Sequence, residues 1–214
     1  MKESILEKAR IFARSIFAED FSGHDFSHTE RVAAMAKRLA REEGADAFIA
    51  ELAALLHDVD DAKLSPETAK GKMNARRFMR ENGVDTGTEE KVVSIISEMS
   101  FSGSGASVPD SIEGKCVQDA DRLDAIGAIG AARAFAYGGS HGRKMYDPAL
   151  PPREKMTEEE YRKGESTTVN HFYEKLFKLK ALMNTDSARR MADGREAFMR
   201  SFLEEFFAEW KGER

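Results

Sequence analysis

Apolar residues recur along this chain at intervals of three and four residues, and no segment keeps the strict apolar–polar alternation that marks a β-strand. An interval of three or four residues places side chains on one face of an α-helix. In residues 2–17, that face consists of five apolar residues: Ile5, Ala9, Phe12, Ala13 and Ile16. The pattern predicts an all-α fold.

The same spacing, combined with the residues that begin and end helices, predicts eight helices. Their expected ranges are 2–17, 27–44, 45–58, 65–82, 88–99, 111–137, 167–183 and 187–210. Ser27 and Glu30 have the spacing of a capping box, which places the start of the second helix at Ser27 and His28 in its first turn. We expect the sixth helix to continue through Gly127, where another backbone can pack closely.

Residues 138–165 interrupt the helical pattern with two adjacent glycines, a further glycine at 142 and three prolines. A segment of this length exceeds an ordinary connection in a compact bundle and is typical of functional or mobile loops. The sequence therefore predicts a long loop before the last two helices. The final helix repeats an aromatic residue every fourth position, which indicates core packing or a homodimer contact: Phe198, Phe202, Phe206 and Trp210.

The 214 residues are 41% hydrophobic, which is enough for one compact core. We expect a single domain over residues 1–214, with the C-terminal helices at about 167–210 packing on the core. The balance of 33 Lys and Arg against 38 Asp and Glu gives a net charge of -5, so no basic field recruits nucleic acid. The absence of a long apolar span predicts no membrane partner and a cytoplasmic protein. The single cysteine, Cys116, cannot form an internal disulfide.

Candidate chemistry begins where His57 and Asp58 directly follow the apolar run 52–56. A charged residue in that position must be paired, exposed at a helix end or bound to a metal. Asp61 lies four residues after His57, so a continuing helical turn would place its carboxylate on the same side as the pair. Asp61 is then available as an acid or a base.

The predicted sixth helix carries three carboxylates within otherwise apolar sequence, at Asp119, Asp121 and Asp124. An exposed acidic stripe paired by Arg122 would also explain them. Two neutral imidazoles and two carboxylates would roughly cancel the charge of a divalent ion such as Mn²⁺, Fe²⁺, Co²⁺, Ni²⁺ or Zn²⁺. An ion with about four protein ligands keeps about two positions open for water and a phosphate oxygen, which predicts a hydrolytic site.

In this order, His28, the doublet His57–Asp58 and Asp121 resemble the signature of the HD-domain metal-dependent phosphohydrolase superfamily, in its small stand-alone bacterial branch. The local contexts are similar too, at residues 28–32, 54–58 and 119–123, and the resemblance continues through 111–115 and 132–139 to cover nearly the whole chain. It implies a helical HD-domain bundle in which these four residues bind a divalent metal, with Mn²⁺ or Mg²⁺ favoured and Fe²⁺, Co²⁺, Ni²⁺ or Zn²⁺ as alternatives.

The resemblance also chooses between neighbouring candidates. His24–Asp25 is a second His-Asp doublet, but it precedes a helix instead of ending one, so we interpret it as lying near the site and assign the ligand to His28. The superfamily places its last ligand immediately before a basic residue, which favours Asp121, followed by Arg122, over Asp119 and Asp124.

By resemblance, proteins of this kind hydrolyse nucleotides, and some cleave nucleoside triphosphates to a monophosphate and pyrophosphate. We expect Asp61 to assist the attacking water or the leaving group. Alternative functions are a phosphomonoesterase of the 5′-nucleotidase kind, a cyclic-nucleotide phosphodiesterase, or a helical protein that binds nucleotides without turnover.

A negatively charged substrate needs cations beyond the metal. We expect substrate contacts from Lys63 and Arg122, although either could simply neutralise acidic neighbours, and we interpret Asp124 as facing the metal ligands or the substrate. His171 and Lys175 lie one helical turn apart and are further candidates, although a solvated helix face explains them equally well.

Overall fold

The computed structural model describes residues 1–17, 26–61, 66–99, 107–153 and 164–214. Within these ranges the chain forms ten α-helices and one 3-10 helix, with no strand, so the predicted all-α fold is confirmed. None of the helices in this part of the chain is long and apolar enough to cross a membrane.

The α-helices are numbered in chain order. They are α1 (Lys2–Ile16), α2 (Phe26–Glu42), α3 (Ala47–Leu56), α4 (Pro66–Ala69), α5 (Met73–Glu81), α6 (Thr86–Met99), α7 (Ile112–Asp124), α8 (Gly127–Ser140), α9 (Thr168–Glu174) and α10 (Asp186–Trp210). The 3-10 helix spans Leu176–Leu182. The chain divides into two compact units, Met1–Asp121 and Arg122–Arg214. The expectation of one domain stays a prediction.

Helix α3 lies at the centre of the first unit, where it packs on α1, α2 and α6. Asp46 caps its start by accepting hydrogen bonds from the backbone N–H groups of Phe48 and Ile49, and every residue from 49 to 56 is buried. One of them is Glu51, whose carboxylate forms ion pairs with Lys37 at 2.8 Å and with Arg10. The buried charge therefore links α1, α2 and α3, as a buried carboxylate requires charged partners.

The predicted helix 65–82 is wrong, because the chain forms two helices, α4 and α5, with a break between them. Lys72 lies at the break with a left-handed φ of 51°. The two oxygens of Asp60 accept hydrogen bonds from the backbone N–H groups of Asn74 at 3.1 Å and Ala75 at 3.0 Å. A carboxylate at these positions satisfies free N–H groups of a helix's first turn, so α5 begins anew after Lys72.

The predicted helix 111–137 is also wrong. Helix α7 ends at Asp124 and α8 begins at Gly127, which has a φ of +79°, a conformation that L side chains rarely adopt. A Cβ atom at this position would lie 3.0 to 3.2 Å from side-chain carbons of Arg195. The guanidinium of Arg195 in turn donates to the carbonyl oxygen of Leu123, one of the carbonyls left free at the end of α7.

In the second unit, α10 packs on α8 and on the 3-10 helix. Phe202 and Phe206 of the aromatic stripe contact the ring of Phe135 from α8, with centroids 5.8 and 6.0 Å away, so this part of the stripe packs internally. Phe198 and Trp210 remain 46% and 49% exposed. The predicted homodimer contact at this stripe stays a prediction.

The predicted helix 167–183 divides into α9 and the 3-10 helix at Lys175. In the long loop before α9, the residues that the structure describes form hydrogen bonds with that helix. Glu174 accepts hydrogen bonds from the backbone N–H and the guanidinium of Arg153 at 2.8 to 3.1 Å and from Ser166 at 3.0 Å. Asn170 donates to the carbonyl of Leu150 at 2.9 Å. The loop's described residues are therefore held in place by buried side chains of α9.

Candidate metal centre

Three potential metal ligands meet where the start of α2 lies beside the end of α3. His28 is in the first turn of α2, His57 directly follows the last residue of α3, and Asp58 comes next. One ligand atom from each lies within 4.8 Å of the other two. Helix α2 begins at Phe26, so Ser27 is inside the first turn and not at the N-cap that the capping box predicted. The packing of α2 on α3 brings the three ligands together.

Asp121, in the last turn of α7, lies against the same group within the first unit. Its Oδ1 atom is 3.4 Å from His28 Nε2, while Asp58 Oδ2 is 3.9 Å from that nitrogen and 3.0 Å from His57 Nε2. Both imidazoles are almost completely buried, whereas the side chain of Asp121 is 44% exposed. The structure therefore brings all four predicted ligands together, with an open side at Asp121.

The orientation of His57 suits a metal ligand. Its Nδ1 atom lies 2.7 Å from the carbonyl oxygen of Ala54. A carbonyl can only accept, so Nδ1 carries a proton, and when the ring is neutral the lone pair is on Nε2, which faces Asp58. Metal-bound histidines are commonly held in this way by a hydrogen bond from the other ring nitrogen. The donor set and its orientation fit a divalent ion held by His28, His57, Asp58 and Asp121.

The electrostatics of the cluster favour a positive charge. Burial lowers the pKa of His57, but the charge of Asp58, the hydrogen bond to it, and Asp121 together raise that pKa to about 9. For Asp121, burial acts to raise the pKa, yet the hydrogen bond from His28 and the charges of His28 and His57 lower it below its ordinary value. A proton on His57 therefore occupies the position where a cation would sit in the metal-loaded protein.

This competition predicts that the affinity for Mn²⁺ increases with pH. Binding must displace the proton of His57, so the apparent affinity should rise roughly tenfold per pH unit up to about pH 9 and level off above it, where His57 becomes neutral. Calorimetric titration with Mn²⁺ in two buffers of different ionisation enthalpy, at pH 7.5, measures the proton release directly. We expect about one proton per ion, and zero release would contradict the proposed role of His57.

The same raised pKa has a consequence for the metal-free chain. Because the folded pKa of about 9 exceeds the ordinary value of 6.5, protonated His57 stabilises the fold fully below pH 6.5. That contribution is lost as the pH rises through 9.

The segment after the doublet contains one residue that the sequence patterns did not single out. Asp60 is 1% exposed, and its carboxylate holds the start of α5 as described above. Asn74 completes the contact by donating its side-chain amide to the carbonyl of Val59 at 3.1 Å and to Thr68 at 3.0 Å. The residues that flank His57–Asp58 are thereby fixed against α5. No local pattern could reveal this role, because the partners of Asp60 lie 14 and 15 residues away.

Asp61 is partly buried, and its backbone N–H donates to the carbonyl of Asp58 at 3.0 Å, so the turn persists beyond the doublet as expected. Asp119, the rejected neighbour of Asp121, is fully buried. Burial, followed by the charge of Asp119, raises the pKa of the Cys116 thiol to about 12. Cys116 is therefore an unreactive packing residue.

The predicted substrate-binding residues do not belong to the described ligand cluster of the first unit. Lys63 and the doublet His24–Asp25 lie outside the described residues. The guanidinium of Arg122 donates to the carbonyl of Leu182, and Asp124 accepts from Arg133 at 2.7 Å, both within the second unit. His171 is partly buried in the same unit, one turn before Lys175. The substrate roles of Lys63, Arg122, Asp124, His171 and Lys175 stay predictions.

The chain is similar to known proteins that contain an HD domain. The HD domain family model matches residues 25–126, a span that contains all four candidate ligands. The chain is 41% identical to YpgQ of Bacillus subtilis over 92% of this chain and 89% of that protein. It also resembles the crystal structure of an HD-superfamily hydrolase from Bacillus thuringiensis, with a TM-score of 0.80 and 44% identity over 99% of both chains. The structure of B. subtilis YpgQ in complex with ADP matches with a TM-score of 0.77 and 36% identity, covering 95% of this chain and 97% of that one.

Proposed function

The chain belongs to the HD domain family of hydrolases, and on this premise we propose that it is a metal-dependent phosphohydrolase acting on nucleotides. The observation that carries the proposal is the cluster of His28, His57 and Asp58, whose ligand atoms lie within 4.8 Å of one another, with Asp121 beside His28. The ADP complex of the relative YpgQ supports a nucleotide as the substrate class. Cleavage of a nucleoside triphosphate to a monophosphate and pyrophosphate is the reaction that we favour.

In this proposal His28, His57, Asp58 and Asp121 hold the ion, and two neutral imidazoles with two carboxylates balance its charge. When bound, a divalent ion supplies a Lewis acid for the phosphoryl group and lowers the pKa of water. The mixture of nitrogen and oxygen donors suits Mn²⁺, and Mg²⁺ is the other favoured ion. The hydrogen bond from His57 to Ala54 keeps the ring nitrogen Nε2 directed at the cluster, so the residues need little rearrangement.

We propose Asp61 as the residue that accepts a proton from the attacking water or donates one to the leaving oxygen. The position of Asp61 supports this role. Its backbone N–H donates a hydrogen bond to the carbonyl of Asp58, and this turn keeps Asp61 next to the His57–Asp58 doublet. Lys63 is proposed to contact a phosphate group, as are His171 and Lys175 in the second unit. Arg122 and Asp124 are also proposed to support substrate binding.

If Asp61 acts as an acid or a base, its substitution should lower turnover without lowering the affinity for the metal. Asp61→Asn should retain Mn²⁺ with an affinity close to that of the wild type, because Asp61 is not a ligand, but should lower kcat about 10²- to 10⁴-fold, the usual contribution of a general acid or base. Metal content by atomic spectroscopy and steady-state turnover would be measured on the same preparation. Wild-type turnover in a metal-loaded Asp61→Asn protein would exclude the role.

The function itself is tested by a screen of nucleoside mono-, di- and triphosphates and cyclic nucleotides, with Mn²⁺ or Mg²⁺ added in turn. Release of pyrophosphate with a nucleoside monophosphate supports the proposal. Release of phosphate with a nucleoside identifies a phosphomonoesterase, and opening of a cyclic phosphate identifies a phosphodiesterase. If no ester is hydrolysed with any added metal while ADP still binds, the protein is a nucleotide-binding protein without turnover.

A further inference from the structure

The end of α7 is held by an arginine of α10, the last helix of the second unit. The guanidinium of Arg195 donates to the carbonyl of Leu123, which also accepts a hydrogen bond from the backbone N–H of Ile126 at 3.1 Å. The last carbonyls of an α-helix have no partner within the helix, and they carry the negative end of its dipole. A guanidinium at this position therefore stabilises the last turn of α7.

The side chain of Arg195 is also held by packing. Its aliphatic carbons lie on the backbone of Gly127, where an added Cβ atom would be 3.0 Å from Cγ and 3.2 Å from Cβ and Cδ of the arginine. A side chain at this position would crowd the arginine, and the φ of +79° disfavours it as well. The glycine at the start of α8 therefore makes room for the aliphatic part of Arg195, whose guanidinium reaches the end of α7.

The two residues that flank Leu123 also have partners in the second unit. Arg122 donates to a backbone carbonyl of the 3-10 helix, and Asp124 accepts a hydrogen bond from Arg133 at 2.7 Å. Both flanking side chains are buried. Asp121 comes directly before them in the same turn of α7, but its side chain is 44% exposed. An exposed side chain has few packing neighbours, so the position of the Asp121 carboxylate depends mainly on the backbone of that turn.

We propose that Arg195 is a positioning residue of the metal centre, acting on Asp121 through the last turn of α7. The proposal rests on the proposed function, because it requires Asp121 to be a metal ligand. The Oδ1 atom of Asp121 lies 3.4 Å from His28 Nε2, so the carboxylate is already beside the cluster. Helix ends fray, and a ligand that must be ordered during binding lowers the affinity. By keeping the last turn of α7 helical, Arg195 keeps this carboxylate in place.

Calorimetric titration of the full chain with Mn²⁺ at pH 7.5 tests this role. Arg195→Met keeps the aliphatic carbons on Gly127 but removes the donor, and it should weaken Mn²⁺ binding about tenfold, the lower end of the usual range for residues that orient metal ligands. Arg195→Lys restores one charged donor, so its affinity should lie between those of Arg195→Met and the wild type. Arg190→Met, at an exposed arginine of the same helix, is the matched control and should bind like the wild type.

Combining the substitution with Asp121→Ala distinguishes positioning from a merely structural role of Arg195. Without the Asp121 carboxylate there is no ligand for Arg195 to position, so Arg195→Met should not weaken Mn²⁺ binding any further. The titration extends to high Mn²⁺ concentrations, so that binding by the three remaining ligands is still measured. A general loss of stability would instead weaken binding by the same factor in both backgrounds.

Hydrogen exchange of the metal-free chain measures the last turn of α7 directly. The N–H groups of Ala125 and Ile126 donate to the carbonyls of Arg122 and Leu123 at 3.2 and 3.1 Å. These two N–H groups should exchange about tenfold faster in Arg195→Met than in the Arg190→Met control, because the turn opens more often without the guanidinium.

The positioning role is overturned if Arg195→Met binds Mn²⁺ as tightly as Arg190→Met, if the loss of affinity is the same with and without Asp121, or if the two N–H groups exchange at the wild-type rate. Each of these results leaves the proposed function standing, provided that the wild type binds Mn²⁺ and hydrolyses a nucleotide. A wild type that binds no Mn²⁺ refutes the metal centre itself, and the role of Arg195 with it.

Discussion

His57→Ala is expected to lose stoichiometric Mn²⁺ and to lower kcat/KM for the best nucleotide substrate by about 10³-fold or more. The substitution removes one of the four proposed ligands together with the hydrogen bond to Ala54 that orients it. A bound ion contributes several kcal/mol of transition-state stabilisation, and about 4 kcal/mol corresponds to a factor of 10³. Metal content after dialysis and initial rates at saturating Mn²⁺ are the two measurements.

The matched control for this variant is His141→Ala, which removes an exposed histidine of the second unit that is not part of the proposed metal site. It should keep the metal content and the rate of the wild type. Asp58→Ala should reproduce the loss seen for His57→Ala, because Asp58 Oδ2 lies within 3.9 Å of both imidazole nitrogens. A fully metal-loaded and active His57→Ala protein would refute the metal centre as a whole.

Asp60→Ala is expected to destabilise the chain by about 3 kcal/mol, the second large effect. The variant leaves the backbone N–H groups of Asn74 and Ala75 without their buried acceptor, and hydrogen bonds to a charged group contribute about 1.5 to 3 kcal/mol each. The affinity for Mn²⁺ should also fall, because the residues on either side of the doublet lose their attachment to α5. The urea midpoint of the full chain and its metal affinity would be measured together.

Asp60→Asn refines this test. It keeps one acceptor oxygen but places a donor amide opposite the second N–H, so its loss of stability should lie between those of the wild type and Asp60→Ala. Asp110→Ala, at an exposed aspartate of the first unit, is the control and should unfold at the wild-type urea concentration. If Asp60→Ala unfolded at that concentration as well, the carboxylate would not be an important anchor of this segment.

The helical class was predictable because the burial of α2, α3 and α6 depends on apolar residues three and four positions apart, a period that is visible in the sequence. The two long predicted helices were wrong for a shared reason. At Lys72 and at Gly127 the helix is interrupted next to contacts with distant residues, Asp60 in the first case and Arg195 in the second. A pattern limited to neighbouring residues cannot register an acceptor 14 residues away or an arginine on a later helix, so it continued both helices through their breaks.

For the candidate ligands, too, the sequence predicted some features and the tertiary structure determined the others. The sequence by itself determined the all-α class, and the order and local context of His28, His57–Asp58 and Asp121 led to the HD domain family. Only the tertiary structure decided that these residues meet within a few ångströms, that His57 presents Nε2, and that Asp60 anchors the segment beside them. The physical reason is that periodicity and motif order are properties of the chain, whereas distances, burial and raised or lowered pKa values arise only when helices distant in sequence pack together.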